Sequence, residues 1–171
     1  MIPQTAAVHG HLEMCQLLID WRADVHAKKS FKCSALHLAC RAGHKEIAEL
    51  LLVSKANQHG EKLDKSLPLH DAASCGHVEI ARLLVPAATG IVPHGQNPKH
   101  RRGGGDMLKH VTDMGHTPLH LACRNGHPLM VKALLAMGAN MHVKDEQGKF
   151  PLDLAKNSAT LLAYAPTAIC S

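Results

Sequence analysis

The stretch Thr117-Pro118-Leu119-His120-Leu121-Ala122-Cys123 decides the fold, because the chain carries it in several related copies. A Gly-His pair follows this copy and two of the others, and a further pair stands near the start of the chain; the pairs are Gly10-His11, Gly43-His44, Gly76-His77 and Gly126-His127. Successive pairs are 33, 33 and 50 residues apart, the last step being one period with 17 extra residues. The other copies are Ser34-Ala35-Leu36-His37-Leu38-Ala39-Cys40, Leu67-Pro68-Leu69-His70-Asp71-Ala72-Ala73 and the divergent Phe150-Pro151-Leu152-Asp153-Leu154-Ala155. A fixed step of this size predicts a repeat architecture.

Each repeat has the local signals of two helices and a loop. Thr117 can cap a helix through its hydroxyl, and Pro118 suits the first helical turn, where its missing N–H is not needed. Gly126 can end that helix in a left-handed conformation. A second helix is predicted from Leu129 to Met137, and the polar residues 140–149 form the loop into the next copy. One such unit cannot bury its apolar face alone, so neighbouring units must stack.

This pattern resembles the ankyrin repeat family, whose period is 33 residues and whose signature is T-P-L-H-x-A. The resemblance implies an all-α solenoid of stacked helix-turn-helix units joined by hairpin-like loops. The repeats are placed at about 1–33, 34–66, 67–116, 117–149 and 150–165, which gives one domain over 1–165 and a C-terminal tail over 166–171. The first and last copies are atypical, either as caps or because the chain is part of a longer array.

An insertion at about 86–105 lengthens the third repeat. Its density of proline and glycine, including Gly103-Gly104-Gly105, opposes regular structure and predicts a long loop. The loop also carries Lys99-His100-Arg101-Arg102. A solvated surface loop is the first interpretation, and a basic docking loop or weak nuclear-import-like patch is the second. Nucleic-acid binding is the third, and it is disfavoured because no aromatic residue alternates with the charges.

The composition narrows the class of protein. Hydrophobic residues make up 46% of the chain but aromatic residues only 2%, so the core must be aliphatic. The net charge of +5 mildly favours acidic partners. No membrane span or signal peptide is expected. The six cysteines include no C-x-x-C pair, which favours reduced thiols over disulfides or zinc and predicts a cytoplasmic, or alternatively nuclear, protein.

Most of the fifteen histidines fall on repeat positions. The resemblance implies that they tie neighbouring turns together through hydrogen bonds to the backbone rather than binding a metal. This interpretation covers the signature positions and the Gly-His positions, which hold His37, His70, His120, His11, His44, His77 and His127.

A further set of histidines, His26, His59 and His142, occupies the loop position that usually holds Asn in the ankyrin family. A histidine there can make a similar bond to the loop backbone. Because the family resembles substrates of the oxygen-sensing asparaginyl hydroxylase, these three are candidate hydroxylation sites. Stacked copies would hold their rings roughly 10 Å apart, too far for one shared metal with bonds near 2 Å.

No catalytic motif accompanies the repeats. The chain has no H-E-x-x-H, G-x-S-x-G, Walker A or dinucleotide-binding pattern. A dyad of Cys75 with His77 is left open, although both residues occupy repeat positions. We therefore expect no enzyme activity, no cofactor and no metal.

The predicted function is that of a monomeric scaffold that binds a partner protein in the concave groove of the array. The alternative is a targeting or regulatory fragment of a larger multidomain enzyme. The resemblance implies a groove made by loop tips and inner helices, with candidate partner-binding residues Ser30, Phe31, Cys33, Arg41, Leu63, Asp64, Ser66, Ser74, Asp113, Met114, His116, Arg124, Asn125, Glu146, Gln147 and Lys149.

Lysines in the first loops suggest the charge of the partner. Where the fifth repeat keeps Asp145-Glu146-Gln147-Gly148, the earlier loops have lysines instead. This substitution predicts an acidic or acidic-polar partner segment held mainly by the N-terminal half, with apolar anchors at Phe31, Leu63 and Met114. The alternative is a solvated charged edge. The lysines concerned are Lys28, Lys29, Lys32, Lys62 and Lys65.

Overall fold

A computed structural model describes residues 2–28, 30–85 and 104–162 as a row of antiparallel helix pairs. Within those ranges there is no β-strand, and Lys28 and Ser34 form an isolated antiparallel bridge. The all-α prediction is confirmed. The α-helices are α1 (Ile2–His9), α2 (Leu12–Asp20), α3 (Ala35–Ala42), α4 (Lys45–Val53), α5 (Pro68–Cys75), α6 (Val78–Leu84), α7 (Gly104–Lys109), α8 (Pro118–Asn125), α9 (Pro128–Ala136) and α10 (Ser158–Leu162), with short 3-10 helices at Ser30–Lys32 and Pro151–Leu154.

The helices form two layers. Helices α1, α3, α5 and α8 pack in sequence as the inner layer, and α2, α4, α6 and α9 pack in sequence as the outer layer. The repeated leucine of the signature word is fully buried in the inner layer at Leu36, Leu69 and Leu119. The matching outer residues Ile47, Ile80 and Met130 are equally buried. Each repeat thus completes the core of its neighbour, as a linear array requires.

The helix boundaries follow the sequence signals. Thr117 lies before α8 in an extended conformation and its hydroxyl accepts the His120 N–H, while Ser34 does the same for His37 at the start of α3. Pro118 is the first residue of α8. These contacts use N–H groups that the helix itself leaves without a partner.

The insertion returns to the array as a helix, where the sequence predicted an irregular loop to residue 105. Residues 86–103, including the basic run Lys99 to Arg102, lie outside the described residues. Helix α7 already begins at Gly104 and packs against α8. The reason is burial, since Met107 and Leu108 are almost fully removed from solvent and hold this segment against the core.

The fifth copy is shorter than the others in the structure, as its sequence suggests. A 3-10 helix at Pro151–Leu154 replaces the inner α-helix and packs on α8, and α10 packs on α9. Asp153 stands in the place of the signature histidine, and its carboxylate accepts the Phe150 N–H at 2.9 Å. This copy of the signature therefore keeps its capping hydrogen bond although aspartate replaces histidine.

The signature histidines link each repeat to the next. The Nδ1 atom of His37 accepts the Ser34 N–H at 3.3 Å, and Nε2 lies 3.3 Å from the Ser66 carbonyl oxygen. Because Nδ1 accepts, the proton of the neutral ring belongs on Nε2, which then donates to the following loop. His70 and His120 make the corresponding contacts, with Leu67 and His116 and with Thr117 and Lys149.

Gln4 occupies the signature position of the first repeat, 33 residues before His37. Its side chain is buried, and Nε2 donates to the Ala27 carbonyl at 2.7 Å. An amide therefore supplies the forward hydrogen bond that a neutral imidazole supplies elsewhere. The first copy thus keeps a hydrogen-bonding side chain at the signature position although its sequence is atypical.

The histidines of the Gly-His pairs link each repeat to the one before. Their Nε2 atoms lie 2.9 to 3.2 Å from carbonyl oxygens at the end of the preceding inner helix. The prediction that the repeat histidines bond to neighbouring backbone is confirmed for three of these and for the signature positions, but no such bond is seen for His11 among the described residues. The pairs are His44 with Val8, His77 with Arg41 and His127 with Ser74.

The same contacts explain why glycine is needed at the end of the inner helices. Gly43 has φ +86°, and a Cβ atom placed there would lie 2.5 Å from Cε1 of His77. We expect Gly43→Ala to lower the free energy of unfolding by about 2 kcal/mol, since a left-handed alanine alone costs about 1 to 2 kcal/mol and the imidazole must also move. Gly138→Ala is the matched control, because Gly138 has φ +93° with nothing within 4 Å of the added carbon. Urea unfolding of both variants measures the difference, and equal losses would show that the imidazole contact is unimportant.

Candidate protein-binding surface

The loop tips are joined into one rigid edge by backbone hydrogen bonds. Each bond runs from an N–H of one tip to a carbonyl oxygen of the preceding tip, at 3.0 to 3.3 Å. The donors are Leu63, Asp113 and Glu146, and the respective acceptors are Phe31, Asp64 and Met114. Because these polar backbone groups are already paired, the edge offers side chains rather than a free strand for pairing.

Three of the exposed side chains at the tips are large and apolar. Phe31 is 73% exposed, Leu63 54% and Met114 52%. They stand on successive tips of the hydrogen-bonded edge, where the sequence predicted apolar anchors. Apolar side chains held in fixed positions at a surface are suited to contact a partner.

Two of the predicted lysines are already neutralised within the array. The Lys62 ammonium lies 2.8 Å from the Asp71 carboxylate, and the two side chains are only 16% and 11% exposed. Lys65 lies 3.0 Å from Asp113 of the next tip. The expectation that Lys62 faces a partner is therefore wrong, because its ammonium group already forms an ion pair with Asp71.

Asp71 belongs to the groove but was not among the predicted groove residues, although the sequence differs from the other repeats at this position. The signature word has Leu38 and Leu121 where the third repeat has Asp71. Burial raises the pKa of the Asp71 carboxyl, while Lys62 beside it acts in the opposite direction. Its Oδ2 atom is buried without a hydrogen-bond partner. The available signal was the carboxylate at a position where the other copies of the signature have leucine.

Three further cations near the first tip and α3 make no ion pair with a described residue. Lys28, Lys32 and Arg41 are exposed, and none makes an ion pair with a residue in the described ranges. Lys29 lies outside the described residues. The positive charge predicted for this half is thus concentrated at the first tip and at the end of α3.

Two candidate groove residues are buried and cannot present their side chains to a partner. Ser66 is bonded to Asp64 through both its N–H and its hydroxyl, and His116 lies 3.5 Å from the Asp145 carboxylate. Both positions shape the loops from within. The other candidates are accessible: Cys33 and Ser74 are partly buried, and Ser30, Phe31, Arg41, Leu63, Asp64, Asp113, Met114, Arg124, Asn125, Glu146, Gln147 and Lys149 are exposed.

Asn125 and Ser74 meet on the inner surface. The Asn125 amide donates to the Ser74 carbonyl at 2.7 Å and to its hydroxyl at 2.8 Å. The contact joins α8 to α5 in the part of the groove where both residues were predicted.

The candidate hydroxylation sites His26, His59 and His142 are exposed on their loops. Their imidazoles do not close the loops, contrary to the sequence expectation. The closing bond is made two residues earlier, where a short side chain accepts the histidine N–H at 2.8 to 2.9 Å; the acceptors are Asp24, Asn57 and Asn140. Hydroxylation of the three histidines stays a prediction.

The described residues contain no group of three or more His, Cys, Asp or Glu side chains placed to hold a metal ion. At the Cys75–His77 pair, burial raises the pKa of the Cys75 thiol, which opposes thiolate formation. The His77 Nε2 atom is engaged with the Arg41 carbonyl. This arrangement does not resemble an activated nucleophile and its base.

Comparison with protein families agrees with the geometry. A family described as ankyrin repeats in three copies matches residues 4–97, and a single ankyrin repeat matches residues 114–146. The chain belongs to the ankyrin repeat family. Ankyrin repeats are generally protein-interaction modules.

The chain is similar to parts of several curated ankyrin-containing proteins. It is 42% identical over 53 residues to neurogenic locus notch homolog protein 4 of Homo sapiens, covering 31% of this chain and 3% of that protein. It is 40% identical over 55 residues to a transient receptor potential cation channel subfamily A member 1 homolog of Caenorhabditis elegans, covering 32% and 4%. It is 38% identical over 42 residues to protein phosphatase 1 regulatory subunit 27 of Homo sapiens, covering 25% and 27%. The chain thus spans less than a third of each of these relatives.

Among the described helices, none combines the length and the apolar character that crossing a membrane demands.

Proposed function

We propose that this ankyrin array is a non-catalytic recognition module that binds an extended segment of a partner protein along its tips and inner helices. The observation that supports this most directly is the row of exposed apolar side chains, Phe31, Leu63 and Met114, on tips whose backbone is already hydrogen bonded. A rigid surface loses little conformational entropy on binding, so these side chains can act as anchors. The name of one relative, a phosphatase regulatory subunit, is consistent with a binding role.

The finer features of the proposal concern charge and assembly. An acidic or acidic-polar partner fits the net charge of +5 and the unpaired cations Lys28, Lys32 and Arg41. The module is proposed to act as a monomer in the cytoplasm or nucleus. Size-exclusion chromatography with light scattering tests the first point, and microscopy of the tagged chain tests the second.

A second candidate function is that of a targeting or regulatory part of a larger protein. The observation in its favour is that the first two relatives are much longer than the stretch they share with this chain. In either case the binding surface is the same, so one experiment on that surface serves both.

The test is affinity capture from cell extract, followed by binding measurements with the purified partner. We expect the double variant Phe31→Ala with Met114→Ala to weaken binding by about 30-fold or more, since central apolar anchors are typically worth about 2 kcal/mol or more. Val53→Ala with Leu129→Ala is the matched control, because both residues are exposed and apolar but lie on outer helices α4 and α9. Equal loss in the two double variants would contradict a groove-binding function.

A further inference from the structure

The first tip, made of Lys28 and residues 30–34, differs from the later tips in the charge of its described residues. Lys28 and Lys32 lie on this tip with no ion pair to a described residue. Phe31, the most exposed of the three apolar anchors, stands next to Lys32. Arg41 lies at the end of the following inner helix, about 10 Å along its axis from Ser34. The first tip therefore combines an exposed apolar side chain with two lysines that make no ion pair to a described residue.

The second tip carries two lysines, but both are paired with carboxylates. Lys62 is held by the buried Asp71 carboxylate, and Lys65 is held by Asp113. Asp64 adds a further exposed carboxylate on this tip. An approaching anion would meet neutralised pairs here, and the attraction is confined to the first tip.

Backbone conformation is a second distinguishing feature of the first tip, because Phe31 is left-handed there while the equivalent residues of the later tips are not. Lys32 and Lys65 have φ +57° and +58°, in the left-handed region, where the equivalent residues of the later tips are Gly115 and Gly148. Phe31 is also left-handed, with φ +61°. Glycine would remove this strain, so retaining the lysine and the aromatic ring points to a use for their side chains. Lys65 forms an ion pair with Asp113. No described residue forms an ion pair with Lys32, and the Phe31 side chain is largely exposed.

We propose that the first tip is the docking point for an acidic partner segment that carries an apolar side chain among its carboxylates. The apolar side chain packs on the Phe31 ring, the flanking carboxylates pair with Lys28 and Lys32, and the segment continues across the groove toward Arg41. This proposal rests on the proposed function, because it assigns the partner chemistry and the position within the same groove.

The test uses peptides selected on the whole chain from a random twelve-residue display library. Peptides selected by the wild-type chain are expected to combine Asp or Glu with Leu or an aromatic residue. One of them is then synthesised, and its Kd is measured for the wild type and for Lys32→Gln, Lys65→Gln and Phe31→Ala. The two lysine variants are closely matched, because both positions are exposed, left-handed and equivalent in the repeat.

We expect Lys32→Gln to weaken binding on the order of fivefold at low salt and less than twofold at 0.5 M salt, as for an exposed ion pair. Lys65→Gln should leave Kd unchanged, and Phe31→Ala should weaken binding about 30-fold or more. Equal effects of the two lysine variants, or peptides without acidic enrichment, would overturn the first-tip proposal while leaving groove binding intact. If no peptide is selected, and the captured partner binds the groove variants as tightly as the wild type, the proposed function itself is wrong.

Discussion

Acidification from pH 6 to pH 4.5 is expected to lower the free energy of unfolding by about 4 kcal/mol through two buried histidines alone. Burial lowers the pKa of His37 to about 4 and that of His70 to about 3, from an ordinary value of 6.5. Both rings accept a backbone N–H on Nδ1, so protonation would set one donor against another. A loss of this size is a large share of the stability of an ordinary domain.

The sign follows from proton uptake. Between pH 6.5 and about 4 the unfolded chain carries protons on His37 and His70 that the folded chain does not. Their contribution is complete above pH 6.5 and falls by about 2.7 kcal/mol per pH unit for the pair as the pH decreases. Burial also lowers the pKa of His120, which acts in the same direction.

Gln4 provides the design of the matched variant. Because an amide already fills the signature position of the first repeat, His37→Gln with His70→Gln should keep the forward hydrogen bonds without a titrating group. Urea unfolding at pH 7, 6, 5 and 4.5 should then show a much shallower slope than the wild type. His26→Gln, on an exposed loop, should leave the slope as it is. An equally steep slope in the double variant would refute the role of these two rings.

Lys62→Ala is expected to lower the free energy of unfolding by about 3 kcal/mol at pH 7, because it removes the ion-pair partner of the buried Asp71 carboxylate and leaves only the weaker attraction of Arg41. The side chains of the pair are only 16% and 11% exposed. Asp71 has no other ion-pair partner within the described ranges. Chemical denaturation of the variant beside the wild type measures the loss.

Lys65→Ala is the control for position and residue type. Lys65 and Asp113 are 62% and 49% exposed, so removal of this pair should change stability by less than about 1 kcal/mol. The variant with both Lys62→Ala and Asp71→Leu should recover most of the loss, since Leu38 and Leu121 fill the same position in other repeats. A double variant as unstable as Lys62→Ala would show that lost packing by the lysine stem, rather than an unpaired carboxylate, is the cause.

The two predictions also separate what the local sequence predicts from what depends on contacts between repeats. The position of each signature histidine could be predicted from the repeated signature and its period, because the same backbone surroundings recur every 33 residues. The depression of the His70 pKa was not readable, since it depends on burial by the next repeat and on the neighbouring His110. Likewise the five lysines of the first loops looked equivalent until the folded array placed Asp71 beside Lys62 and Asp113 beside Lys65.

The sequence by itself determined the period, the helix pairs and the residues that begin and end the inner helix after Thr117. These features are local, since a capping hydroxyl, a helix-ending glycine and a stripe of leucines act within one repeat or its immediate copy. The tertiary structure alone decided that Ser66 and His116 are buried, that Met107 and Leu108 bring the insertion back to the core, and that the first tip keeps its charge. Burial and charge pairing depend on which residues of separate repeats meet in space, and only the folded array determines those meetings.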